Sequence, residues 1–228
     1  MTNKINTIDD AAKVCSNSIR LVGELRELSI GVNNYNDRVY VSYIGVVKVN
    51  DSYIKIHGTT NNNIPTFNSD VERLKALKAN IFATFENKEV VDTTYSDECS
   101  MVYIDGKVSS ANSIHVNYIS NSTTNAPLVL GAITGIPIEV VDDDMVKVLV
   151  INNNYHNVMT FKCDKHAIIL NSMLNQTINF SVKAGDNKNG SPLSLVYMIK
   201  VIDGIPKSII DSALAEHEMY LAVKNNER

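Results

Sequence analysis

The 228-residue chain is poor in cysteine, in cationic excess and in long apolar runs, and each shortage argues against a class of protein. Its three cysteines, Cys15, Cys99 and Cys163, are odd in number and far apart. That argues against a disulfide framework, and no pair has the spacing of a zinc knuckle. Cys163-x-x-His166 is half a ligand set with no other half, so neither metal nor cofactor is expected and the thiols read as buried or idle. No run approaches the ~18–20 apolar residues of a membrane span. The start, Met1 to Asp10, has no apolar core of signal-peptide type, and the expectation is a cytoplasmic protein with no membrane partner. With 21 Lys+Arg against 25 Asp+Glu and a net charge of −4, charge-driven binding to duplex DNA is disfavoured. A single strand held in a local groove by stacking and a few cations is still compatible with that balance. Catalytic signatures are missing too: there is no Gly-x-x-x-x-Gly-Lys phosphate loop, no Gly-x-Ser-x-Gly and no His-Glu-x-x-His. The five histidines (His57, His115, His156, His166, His217) share no recognisable spacing, and no enzyme is expected.

What the chain does have is alternation. Hydrophobic content of 44% with 20% charged residues is ordinary for a globular protein, and the length suits one or two domains. Residues 1–18 read as an N-terminal arm with a short helix capped by Thr7. From Ile19 to His57, β-branched and aromatic residues at period two are broken by Asn/Asp/Ser clusters, predicting three strands: Ile19–Leu28, Arg38–Val49 and Tyr53–His57. A polar turn is expected over Val32–Asp37 and another at Asn50–Ser52. A helix is expected at Val71–Lys78, followed by strands at Asn80–Glu86 and Cys99–Val108. This β-β-β-α-β-β order is the plan of the OB-fold.

The order then recurs. Leu21–Leu25 matches Val129–Ile133, which aligns Gly23 with Gly131. Val39–Ile44 matches Val146–Ile151, and Tyr53–His57 matches Val158–Lys162. Ile81–Phe85 matches Ile178–Val182, and Ser100–Ile104 matches Ser194–Met198. The predicted fold is mainly β: two tandem five-stranded OB-fold barrels, each with a short helix between strands 3 and 4, plus a C-terminal helix. The expected divisions are 1–18, the arm; 19–118, the first barrel; 119–127, a small polar linker; 128–205, the second barrel; and 206–228, the helix. That helix has Pro206 near its start and an apolar stripe of Ile209, Ile210, Ala213, Leu214, Tyr220 and Leu221, fit to dock on the second barrel or another subunit.

In a closed small barrel each strand alternates between interior and outside. With Ile54 and Ile56 inside, Tyr53, Lys55 and His57 face out; with Val39 and Val41 inside, Arg38, Tyr40 and Ser42 do. Two cations, two tyrosines and a histidine then share one surface, which suits a nucleic-acid strand whose bases stack on rings and whose phosphates meet cations. Tyr35, Lys88 and Tyr95 are expected to flank it. β-Propensity and ordinary solvation account for the same residue types, and a bulge at Gly45 would exchange the roles of Tyr43 and Ile44. The second barrel is poorer. Val158, Thr160 and Lys162 stand where the first has Tyr53, Lys55 and His57, Lys147 replaces Tyr40, and Asp142, Asp143 and Asp144 would repel phosphate. Its best candidates are Lys183 and Lys188, with Tyr155 and His156, and Lys147 and Lys162 are counted among the nucleic-acid-binding residues.

With Leu21-Val22-Gly23-Glu24-Leu25 as a "hydrophobic-x-Gly-x-hydrophobic" opening and this strand order, the chain resembles single-stranded DNA-binding proteins of the OB-fold class, in the style of those encoded by bacteriophages. The resemblance implies non-sequence-specific coating of single strands in replication or recombination. Its implied partners are single-stranded DNA (or RNA), further copies of the chain, and replication or recombination proteins. It places contacts on outer-face residues of strands 2 and 3 and on the loop between strands 4 and 5, here Tyr40, Tyr53, Lys55, His57, Lys88 and Tyr95. Many members end in an acidic tail that recruits partners; Val223 to Arg228 does not match it. The rival reading is a protein-interaction or assembly component of a phage built from the same barrels.

Overall fold

The computed structural model describes residues 5–35, 38–61, 100–152, 156–163, 166–185, 191–202 and 204–226. The expected helix at 71–78 and strand at 80–86 lie outside the described residues. The arm folds as anticipated into α1 (Ile8–Val14), whose first turn is capped by the Thr7 hydroxyl accepting from the Asp10 amide at 3.1 Å. Strands β1 (Asn17–Tyr35), β2 (Arg38–Val49) and β3 (Ser52–Asn61) form the meander. β4 (Ser100–Ser110) and β5 (Ser113–Asn121) follow.

Pairing runs β1–β2, β2–β3, β3–β5, β5–β4 and β4–β1, antiparallel except for β3–β5. The ring is thereby closed with OB-type Greek-key connectivity. Two expectations need correction. The predicted turn at 32–37 is mostly ladder, because β1 pairs with β2 out to Tyr35 opposite Arg38. The predicted fifth strand, 99–108, takes the fourth place, antiparallel to β1, and Ser113–Asn121 takes the fifth, parallel to β3. A bulge where Asp105 and Gly106 meet Tyr118 and Val116 breaks the alternation of β5 and hides it from a period-two reading.

The chain continues through β6 (Leu128–Asp142), β7 (Met145–Ile151), β8 (His156–Lys162), α2 (Ala167–Asn171), β9 (Thr177–Ala184), β10 (Leu193–Ile202) and α3 (Lys207–Asn226). These strands pair in the same cyclic order: β6–β7, β7–β8, β8–β10 (parallel), β10–β9 and β9–β6. Antiparallel pairing of β1 (Asn17–Val22) with β6 (Leu128–Ile133) joins the two rings into one sheet. Their interiors share a core that runs from Ile19, Leu21, Ile54, Ile56 and Ile114 to Val148, Val150, Phe161 and Phe180. Each such side chain, taken fully out of water, contributes roughly 1.5–3 kcal/mol.

The glycines give the correspondence between rings. A Cβ at Gly23 would lie 2.6 Å from the Lys48 carbonyl oxygen and 2.7 Å from Val47 Cγ1; one at Gly135 would lie 2.9 Å from the Leu149 carbonyl and 2.6 Å from Val148 Cγ1. Each lets the second strand of its ring cross close over the first. Gly23 thus corresponds to Gly135, not to Gly131, and Lys48 to Leu149. β4 corresponds to β9 and β5 to β10, so Tyr103 on β4 and Tyr197 on β10 do not occupy equivalent places.

α3 docks on the second ring. Ile209, Ile210 and Ala213 are buried with Ala11 of α1 against Ile136, Leu149 and Ile151. The His217 Nδ1 lies 2.7 Å from the His156 carbonyl, and His156 Nε2 lies 3.0 Å from Glu216. Tyr220 and Leu221, expected in the apolar stripe, are instead exposed, with Met219 and Val223. Among the described residues no helix is long and apolar enough to cross a membrane.

Candidate nucleic-acid interface

The wall outside β2 and β3 follows from alternation. Tyr43, Val47 and Val49 point into the first ring, as do Ser52, Ile54 and Ile56. That leaves Ser42, Ile44, Val46 and Lys48 of β2 facing out beside Thr59, His57, Lys55 and Tyr53 of β3. The register sets Lys48 opposite Tyr53, Val46 opposite Lys55 and Ile44 opposite His57. A two-residue turn fixes it: Asn50 adopts φ 52°, a left-handed geometry that asparagine tolerates, between Val49 and its partner Ser52. Tyr53 is 51% exposed and Ile44 63%, so the wall offers an aromatic and an aliphatic face to the outside.

Tyr53 and Lys55 therefore stand where the sequence places them, outward and side by side on alternate positions. His57 faces the same way but is only partly exposed. Its Nε2 lies 2.8 Å from the Ser109 hydroxyl, and its ring meets that of His115 edge-on at 5.2 Å. Burial, and after it the neighbouring His115, hold the His57 pKa below the usual histidine value. It is a neutral, hydrogen-bonded member of the wall and not a free cation. Tyr35, Arg38 and Tyr40 are placed by backbone register on the far end of the β1–β2 hairpin, Tyr40 opposite Asn61; their side chains lie outside the described part. Lys88 and Tyr95 also lie outside the described residues, and they fall in the chain between β3 and β4.

The second ring corrects the expectation for its lysines. Lys147 Nζ is 2.7 Å from Glu139, and Lys162, little exposed, is 3.8 Å from Asp144. Both have their charge met locally and are poorly placed to take phosphate. Lys183 is exposed on β9 and already partnered, His156 is buried, and Tyr155 and Lys188 lie outside the described residues. Among the described residues Lys48, Lys55 and Lys107 form no ion pair. Lys48 and Ile44 were missed by the sequence reading. Their signal was the same alternation that identified Tyr53, carried one strand further.

The two rings differ most at this wall. Where the first has Lys48 and Tyr53, the second has Leu149 and Val158, and these pack beneath α1 and α3. That part of its surface is occupied by the chain's own helices, while Ile44 and Tyr53 of the first ring are exposed. Asp142 and Asp143 are exposed at the β6–β7 turn, and no group of three or more His, Cys, Asp or Glu side chains among the described residues could hold a metal ion.

The strand pairing defines a mainly β protein with a closed five-stranded barrel of OB connectivity and a C-terminal helix. No protein-family model and no curated protein matches the chain. Among solved structures it is similar to a variant of the single-stranded DNA binding protein from Thermus aquaticus. The identity is 6% and the TM-score 0.45, over 85% of this chain and 98% of that one, a likeness too slight to carry an argument of its own.

Proposed function

We propose that the chain is a tandem pair of OB-type barrels that binds single-stranded DNA without sequence preference, as a coating protein of bacteriophage type in replication or recombination. It works by binding and not by catalysis. One observation carries this reading: the outer wall of β2 and β3 holds an exposed Tyr53 beside Lys48 and Lys55, which form no ion pair among the described residues, whereas at the matching end of the second ring Leu149 and Val158 pack against the helices. An exposed ring next to ammonium groups suits a strand whose bases stack and whose phosphates pass within reach of the lysines. On this reading, doubling the barrel freed one copy to anchor the helices while the other kept a ligand face. The net charge of −4 is compatible with such a local site, because stacking and a few nearby cations act at short range.

The test is a fluorescence titration with oligothymidylate at several salt concentrations. Salt-sensitive binding that Tyr53→Ala plus Lys55→Ala weakens is the expected result. Absence of binding by the intact protein would put the assembly reading first. The exposed Met219, Tyr220, Leu221 and Val223 on α3 favour that second reading.

A further inference from the structure

A polar cleft opens where the two rings meet. It has a volume of about 580 Å³ and is lined on one side by Lys107, His115 and Asn117 of β4 and β5. Facing them are Asn152, just after β7, and Asn157 of β8. The walls are joined where the Asn157 carboxamide donates to the Ser109 carbonyl at 2.6 Å, and within the first ring the Asn17 carboxamide donates to the Val108 carbonyl and accepts from the Val108 amide. Further bonds join the rings nearby: the Leu193 amide donates to the Ala111 carbonyl at 3.0 Å, and the Ser52 hydroxyl to the Gly185 carbonyl.

Its position relates it to the wall. In the closed ring Ile44, His57, His115 and Lys107 are successive neighbours across β2, β3, β5 and β4. The His57–Ser109 hydrogen bond and the His57–His115 ring contact lie on the boundary between wall and cleft. A chain lying over Tyr53 and Lys55 that continues in this direction reaches Lys107. The volume falls in the range of sites for small organic groups, roughly 300–1,000 Å³. Asn117 and Asn152 make no side-chain hydrogen bond among the described residues, and a carboxamide offers both donors and an acceptor to any base edge.

We infer that this cleft continues the strand's path, seating one nucleotide with its phosphate on Lys107 and its base edge on Asn117 and Asn152. The inference rests on the nucleic-acid reading above and extends it to a face, β4–β5 and the ring junction, that the sequence resemblance does not assign.

The experiment compares two oligothymidylates with the full-length protein, one of about 5 nucleotides that fits the wall and one of about 12 that reaches the cleft. Each phosphate neutralised adds about 0.7 to the slope of log affinity against log salt for a single strand. Lys107→Ala is expected to reduce that slope by about 0.7 for the longer oligomer and to leave the shorter unchanged, and Lys107→Arg to restore it. Asn117→Ala with Asn152→Ala is expected to weaken the longer oligomer about fivefold at an unchanged slope. Both substitutions are at positions outside the core, and an unchanged melting temperature confirms the fold. If these variants bind both oligomers like the parent while Tyr53→Ala weakens both, the cleft assignment is overturned and the wall survives. Equal weakening of both oligomers by Lys107→Ala also overturns it, by placing Lys107 within the wall. If the parent protein binds neither oligomer, the wall reading falls and takes this one with it.

Discussion

Replacing Tyr53 by alanine separates a binding ring from a decorative one. The side chain is 51% exposed on the outside of β3, opposite Lys48, with its neighbours Ser52 and Ile54 pointing into the ring. Its removal therefore opens no core cavity. What the fold loses is one cross-strand pair, worth roughly 0.2–1 kcal/mol, and the barrel should keep its melting profile to within a few degrees. What binding loses is a stacking platform, worth about 1–3 kcal/mol per base. At about 1.4 kcal/mol per factor of ten, affinity for oligothymidylate should fall roughly 5- to 150-fold. Stacking involves no charge, so the salt slope should stay the same while the whole curve moves to weaker binding. The assay is a fluorescence anisotropy titration at three salt concentrations. Tyr220→Ala serves as the matched control: that ring is 52% exposed on α3 and has Lys224 Nζ 5.9 Å from its centroid. If Tyr53→Ala binds like the parent, or if Tyr220→Ala weakens binding as much, the reasoning from the β2–β3 wall is wrong.

Other outcomes follow from the same structure. Lys147→Ala and Lys162→Ala should leave the affinity within about twofold and the salt slope unchanged, because Glu139 and Asp144 already meet those charges; a slope loss near 0.7 for either would bring the second ring into the footprint. Gly135→Ala and Gly23→Ala should each cost about 1–3 kcal/mol in urea melts, since their new methyl groups would sit 2.6 Å from existing atoms. At Gly131 the nearest atoms are 3.2 Å away, and alanine there should cost less. The folded-state pKa of His57 is lowered, so the folded protein binds fewer protons than the unfolded chain as pH falls below about 6.5. Its contribution to stability is fully present above that pH and is lost as the pH drops toward the folded-state value. The urea midpoint should decline across that window, less steeply in His57→Gln; identical pH profiles for parent and variant would refute this.

How far the sequence alone reached can be judged residue by residue. Alternation predicted β2 and β3 because Val47, Val49, Ile54 and Ile56 point inward at period two and Tyr53, Lys55 and His57 stand outward between them, the pattern of a half-buried strand, from which the outward Ile44 and Val46 depart. α1 was legible in its Thr7 cap and α3 in Pro206 and its first apolar turn. The β1–β2 turn was misplaced because Asn33, Asn34 and Tyr35 carry turn chemistry, yet long hairpin pairing holds them in a ladder; tertiary pairing overrode local propensity. β5 was missed at its bulge. Outside these strands, the lysine contacts of the second ring could not be read, because Lys147 with Glu139 and Lys162 with Asp144 meet only once the β6–β7–β8 register is set.

The sequence match set Gly131 against Gly23, whereas strand pairing sets Gly135 there. In one dimension, Val129-Leu130-Gly131-Ala132-Ile133 and Leu21-Val22-Gly23-Glu24-Leu25 look alike, because any glycine between aliphatics fits. In three dimensions only a glycine beneath the crossing second strand is equivalent to Gly23, and Gly135 meets that condition with Val148, Leu149 and Val150 above it. The corrected correspondence has a functional consequence. It puts Leu149, covered by the helices, in the place of Lys48, opposite Val158, which the sequence match already set in the place of Tyr53. The second ring is therefore not a weakened copy of the first ring's wall. On the proposed reading, the Leu149–Val158 part of its outer face docks the helices where the first ring offers Lys48 and Tyr53 to a strand. Substituting Leu149 by lysine would test that opposition directly: it should release α3, seen as faster amide exchange along Ile209–Ala213, without adding to the DNA salt slope. A retained helix with a steeper slope would show that the two uses can coexist.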